Sequence, residues 1–178
     1  MYHKIVTFGD SGLRLPSQPL TINDHAGELI QSLFDTLGQQ RGVGLAAPQI
    51  GFNQRVFIID TTLQAKEDKS VEKFRTAYIN PEITWFSKKE NSFNEGCLSI
   101  PTIYENVIRP SSIRVRYLDA SFKETEETLH GIKARIFQHE YDHLEGILFI
   151  DHIHSLRKVL LSYKLKKIQN NLIKHTAL

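Results

Sequence analysis

Gln138-His139-Glu140-Tyr141-Asp142-His143-Leu144-Glu145-Gly146 carries two histidines four residues apart. On a helix that spacing stacks both imidazoles on one face, a turn apart, so one divalent ion can be held by both without bending the backbone. Glu140, beside the first histidine, is placed to handle protons on a metal-bound water. Working outward, Ile132, Ile136, His139, Glu140 and His143 share a face, which predicts a helix over about Gly131–Leu144. The motif implies hydrolysis, and its third ligand decides of what.

Two protease patterns lack that ligand. A third histidine six residues beyond the second would fall at Phe149, and no glutamate follows Glu145. Asp151 reads more simply as a turn or cap residue. Upstream stands the only cysteine, Cys97, in Asn94-Glu95-Gly96-Cys97-Leu98-Ser99-Ile100-Pro101. A thiolate binds a borderline divalent cation well, and the metal keeps it deprotonated. Cys97 as a small buried hydrophobe, or as a nucleophile paired with histidine, are the competing readings. A third segment, Gly42-Val43-Gly44-Leu45-Ala46-Ala47-Pro48-Gln49-Ile50-Gly51, would let a substrate backbone pass close by, and the Gln49 amide can donate to a developing oxyanion.

The remaining sequence frames these segments. The chain has 178 residues, 40% of them apolar, enough for one domain with a substantial core over 1–178. One cysteine excludes an internal disulfide framework. The first ten residues have no signal-peptide character, and no apolar run reaches membrane-spanning length; a cytoplasmic protein is expected, with no membrane partner. The net charge of +2 conceals an asymmetry: from His152 onward there are six Lys or Arg and no acid, leaving 16 basic against 20 acidic residues before it, a net of −4.

Ile22, Ala26, Leu29, Ile30, Leu33, Phe34 and Leu37 form an apolar stripe that predicts a helix from about Ile22 to Gln40, capped by Thr21 or Asn23 and ended by Gly38 or Gly42. Strands are expected at Arg55–Asp60, Ala77–Phe86, Ser112–Asp119 and Phe122–Leu129, the last two joined by a turn at Asp119-Ala120-Ser121. Thr62–Lys73 reads as a surface loop, and Ser155 as the cap of a final helix over about Leu156–Leu172. The expected class is α+β: a mainly antiparallel sheet wrapped around the central metal-binding helix, with helices at both ends.

Taken together, Gly42–Gln49, Glu95–Ser99 and Gln138–His143 resemble, in order and spacing, the three signature motifs of the peptide deformylases, and the likeness runs through Ala77-Tyr78-Ile79-Asn80-Pro81 to Leu148-Phe149-Ile150-Asp151. The resemblance implies removal of the formyl group from the formylmethionine of newly made polypeptides. It implies one divalent metal on Cys97, His139 and His143 with water as fourth ligand. Iron(II) is the expected ion in the cell, with zinc, nickel or cobalt as forms found on purification. Glu140 would be the base and acid, with the Gln49 amide and the Leu98 N–H stabilising the oxyanion. Val43, Gly44 and Gly96 would pair with the peptide backbone, and Phe93, Ile132 and Ile136 would receive the methionine. Asp142, partnered by Arg109, would hold the helix against the Cys97 segment. Three features depart from the family pattern: Asn94 where an acid is common, the divergent Gly9–Leu20, and Tyr104 where some members carry a substrate-contacting arginine. The basic C-terminal helix suggests attraction to ribosomal RNA. The alternatives are a zincin-type metallopeptidase and an inactive ribosome-associated homologue.

Overall fold

The computed structural model describes residues 1–21, 24–69 and 71–176. Among them are helices α1 (Asp24–Gly38), α2 (Thr62–Glu67), α3 (Gly131–Leu144) and α4 (Ser155–Thr176). The strands are β1 (Gly44–Ala46), β2 (Val56–Asp60), β3 (Arg75–Phe86), β4 (Glu90–Cys97), β5 (Ile100–Pro110), β6 (Ser112–Leu118) and β7 (Glu124–His130). They form a five-stranded sheet in the order β1-β2-β3-β6-β7 and a separate β4-β5 ribbon, antiparallel throughout. The fold is α+β.

Alternation along the strands decides which helix each face receives. On β2, Val56 and Ile58 pack with Ala77 and Ile79 of β3 against the Leu29, Ile30, Leu33 and Leu37 stripe of α1. Phe57, Ile59 and Tyr78 point the other way and join Ile113, Val115, Tyr117 and Leu129 against Ile136, Phe137 and Leu144 of α3. The ribbon closes over a third cluster, in which Ile103 and Val107 meet Leu148, Phe149, Ile150 and Leu161 of α4. The metal-motif helix thus lies with the large sheet on one flank and the ribbon on the other. The expected antiparallel wrapping of the central helix is present, delivered by two sheets.

Several local expectations change. β4 and β5 were not anticipated, because β4 is made of weak strand formers and two of the inward residues of β5 are Glu105 and Arg109. The segment expected as the loop Thr62–Lys73 contains the short α2. β1, a strand at Gly44–Ala46, lies outside the four strands expected. The turn after β6 is built as expected, with Asp119 Oδ1 accepting the N–H groups of Ser121 and Lys123. Phe122, expected to open the next strand, sits in that turn at φ 59°. The cap of α4 is His154 instead of Ser155: its carbonyl accepts from Arg157 and Lys158, and its ring nitrogen from Leu156 N–H. Ile22 and Asn23, read as the first stripe position and a cap of α1, lie outside the described residues.

Two devices fix the end of α3. Gly146 has φ 70°, and a Cβ there would lie 2.7 Å from the Arg14 carbonyl carbon, so only glycine lets the N-terminal segment cross the helix end. Ser17 N–H then donates to the Leu144 carbonyl at 2.7 Å.

Candidate active site

His139 and His143 project from α3 with ring centroids 5.3 Å apart. Cys97, the last residue of β4, reaches them from the ribbon, its Sγ 3.2 Å from His143 Nε2. One donor atom from each of the three lies within 4.8 Å of the others. Tetrahedral coordination by sulfur and nitrogen places such donors roughly 3.5 Å apart. The donor chemistry, a thiolate and two imidazoles, suits a borderline divalent metal. Burial raises the Cys97 thiol, but the two imidazoles outweigh it and hold the sulfur well below its ordinary range, in the thiolate form. His143 Nδ1 and Glu140 Oε2 are buried with no hydrogen-bond partner in the protein. The residues fit a metal. Phe149, where one protease class would supply a third imidazole, instead stacks beside His139 with centroids 6.1 Å apart.

Glu95 is the residue that sequence reasoning passed over. Its Oε2 meets His139 Nδ1 at 2.9 Å, which leaves Nε2 of that ring for the metal. Its other contacts are Arg109, at 2.8 and 3.0 Å, and Arg135, at 2.7 Å. Arg109 continues to Asp142 at 2.6 Å, and Asp142 to His152 at 2.7 Å. Two carboxylates and two guanidiniums therefore balance inside the protein, with Glu95, Arg109 and Arg135 each about 5% exposed or less. Burial alone would raise Glu95; the hydrogen bonds from His139 and Arg109 overcome this and keep it ionised far below the carboxylate range. The expected Arg109–Asp142 contact is present, and it is a buried link between α3 and the ribbon, not a surface pair. The charged neighbours in the motif around Cys97 and in the motif helix were the available signal for Glu95.

Gln49 sits in a 3-10 turn, Ala47–Ile50, after β1. Its Oε1 accepts from Ala46 N–H at 2.8 Å, which fixes the orientation of the amide. The NH2 end therefore faces Ser99 Oγ at 3.2 Å and Cys97 Sγ at 3.5 Å. Glu140, 4% exposed, packs beneath Gly44: a Cβ on Gly44 would fall 2.8 Å from Glu140 Cγ and Cδ and closer still to Oε1. Burial pushes Glu140 up to about 7, partly offset by the neighbouring imidazoles. A divalent cation held by Cys97, His139 and His143 would pull it back down.

These groups open onto a cleft of about 450 Å³. Val43, Gly44, Gln49, Phe93, Gly96, Cys97, Leu98, Ile132, Ile136, His139 and Glu140 all line it, so the sequence-derived site residues other than the deeper His143 meet there. β1 pairs only with β2 and β4 only with β5, so each presents a strand edge without a strand partner among the described residues. Those two edges flank the cleft.

Comparison with known proteins agrees with this arrangement. The family model described as polypeptide deformylase matches residues 2–159. A peptide deformylase of Cytophaga hutchinsonii is 41% identical over 169 residues, covering 94% of this chain and 91% of its own. One from Flavobacterium johnsoniae is 42% identical over 172 residues, covering 92% and 88%. Among solved structures, the Legionella pneumophila peptide deformylase superposes with a TM-score of 0.84 at 36% identity, over 97% of this chain and 98% of that one. Arabidopsis thaliana peptide deformylase 1B, solved with an inhibitor, gives 0.86 at 33% identity, over 100% and 95%.

Proposed function

The chain belongs to the peptide deformylase family, and from that premise we propose how its own residues carry out the removal of the N-formyl group from nascent polypeptides. The observation that carries the reading is the meeting of Cys97, His139, Glu140 and Gln49 on one cleft between two strand edges, with His143 beneath it in reach of the Cys97 and His139 donor atoms. We assign Cys97, His139 and His143 as the metal ligands. The family is metal-dependent; iron(II) is our choice for the ion in the cell, with zinc, nickel or cobalt able to occupy the same donors. A divalent ion held there polarises the formyl oxygen and makes water acidic enough to attack near neutral pH.

The protein groups do the rest. The nascent chain lies extended between β1 and β4, its backbone pairing with Val43, Gly44 and Gly96. Phe93, Ile132 and Ile136 take the methionine side chain. Glu140 receives one proton of the attacking water and returns it to the leaving amine, and the water's second proton also passes to that amine, so that formate departs with a protonated N-terminus. The Gln49 NH2, oriented by the Ala46 N–H on the amide oxygen and by Ser99 Oγ, and the Leu98 N–H donate to the oxygen on which charge builds. Glu95 orients His139 and is itself held by Arg109 and Arg135.

The whole of 1–178 acts as this one catalytic domain, in the cytoplasm. No helix among the described residues is long and apolar enough to cross a membrane. For ribosome attraction the exposed Lys164, Lys166 and Lys167 of α4 are the relevant cations, because Arg157 is engaged with Glu105 and Lys158 with the Asp151 carbonyl. Charge reversal at those three lysines would abolish salt-sensitive ribosome binding; unchanged binding would end that part of the reading.

The central test is formate release from formyl-Met-Ala-Ser by anaerobically metal-loaded protein, with Glu140→Ala as control. Formate from the wild type and its loss in the variant are expected. Internal peptide cleavage, or formate release indifferent to Glu140, would refute the assignment.

A further inference from the structure

Tyr104 is 66% exposed, yet its ring is tightly placed. It stands opposite Gly96 in the β4-β5 register, and side chains directly opposite each other in an antiparallel pair share a face. A Cβ on Gly96 would meet Tyr104 Cδ1 at 2.6 Å and Cε1 closer still. The bare backbone at Gly96 is therefore what lets the ring lean across β4 and line the cleft at the free edge of that strand.

The face matters. Along β4, Phe93 and Glu95 turn toward α3: Glu95 bonds Arg135, and that guanidinium lies 6.0 Å from the Phe93 ring. Asn94 and Gly96 turn to the opposite face, where Asn94 meets Asn106. A peptide added as a strand beside β4 alternates in the same way. With methionine directed toward Phe93, Ile132 and Ile136, the next side chain emerges on the other face, over Gly96, where Tyr104 stands.

We propose that Tyr104 is a specificity-determining residue for the position after formylmethionine, its ring forming the wall against which an aromatic or large apolar side chain packs. The proposal rests on the deformylase reading and adds a preference to it. Contact between two rings favours an aromatic second residue by on the order of threefold to tenfold. Because the contact is remote from the formyl carbon and is made equally before and during reaction, the gain falls on KM and leaves kcat alone.

The test compares kcat and KM for formyl-Met-Phe-Ser and formyl-Met-Ser-Ser on metal-loaded wild type, Tyr104→Phe and Tyr104→Ala. The wild type and Tyr104→Phe should favour the phenylalanine peptide by threefold to tenfold in kcat/KM, through KM. In Tyr104→Ala the ratio should fall to near one. A ratio unchanged in Tyr104→Ala, a wild-type ratio near one, or a preference expressed only in kcat would overturn the proposal while leaving the deformylase reading intact. No formate from either peptide with wild type would remove that reading, and this proposal with it.

Discussion

Replacing Gly44 by alanine isolates the position of the base from its chemistry. The added methyl would lie 2.8 Å from Glu140 Cγ and Cδ, where comfortable carbon contacts begin near 3.5 Å, so the carboxyl must retreat by about 0.7 Å. It has somewhere to go, because Glu140 borders the cleft. Backbone and core are left alone, and the expected change in Tm is small. Displacement of a reacting group by about 1 Å costs on the order of a hundredfold in rate, within the 10²- to 10⁴-fold that a general base supplies. Gly44→Ala should therefore lower kcat about a hundredfold while metal content is kept. The assay is steady-state formate release from formyl-Met-Ala-Ser, with kcat and KM read separately and a thermal melt in parallel. Three results would refute the reasoning: kcat within threefold of wild type, a rise in KM alone, or a collapsed Tm. A rise in KM alone would mean that Gly44 serves peptide pairing and not the placement of Glu140.

Other perturbations probe the supporting shell. Arg109→Met removes the cation between Glu95 and Asp142 and leaves two buried carboxylates short of a partner. It should cost about 3 to 5 kcal/mol, a fall in Tm of roughly 10 °C, and a melt within 2 °C of wild type (about the scatter expected of a neutral change) would contradict the network. For Asp142, burial raises the carboxyl, but the His152 and Arg109 hydrogen bonds outweigh it and hold the folded-state value below 3.8. Its contribution is fully present above that unfolded value and is lost as pH falls through the lower folded one. Urea midpoints between about pH 6 and pH 3 should therefore drop at the acid end, and Asp142→Asn should flatten that limb. An identical acid limb in the variant would count against the assignment. Stripping the metal with a chelator should lower Tm, because an ion at a thousand times its Kd stabilises by about 4 kcal/mol. Readdition should restore wild type but not Cys97→Ser, and a melt indifferent to metal would exclude the donor set.

The parts of this molecule that could be read in advance are those whose determinants are local. The α1 stripe and the α3 pattern follow from spacing within one element, and the three chemical segments are each continuous. β4 and β5 escaped because their inward faces carry charge: Glu95 on one strand and Glu105 and Arg109 on the other break the apolar alternation that marks a strand. Each is tolerable only because a residue distant in the chain neutralises it, Arg135 and His139 for Glu95, Asp142 for Arg109 and Arg157 for Glu105. The role of Glu95 was hard to read for the same reason: its position beside Cys97 was the one local signal, and its partners lie 14 to 44 positions away. His154 stands in place of Ser155 as the cap because its carbonyl takes the Arg157 and Lys158 N–H groups that a Ser155 hydroxyl was expected to hold, while its ring nitrogen takes that of Leu156.

The composition of β4 has a further consequence. A strand edge kept open for a passing chain is also a template for any other strand, including that of a second copy. Glu90-Asn91-Ser92-Phe93-Asn94-Glu95-Gly96 answers this with polar and charged residues, and with one large apolar side chain, Phe93, half-exposed. A second such edge would find the exposed polar side chains of Glu90, Asn91, Ser92 and Asn94 and little apolar surface beyond Phe93. The composition that hid β4 as a strand thus guards it against self-association, so the edge stays open to extended chains that arrive with their own side chain for the methionine pocket.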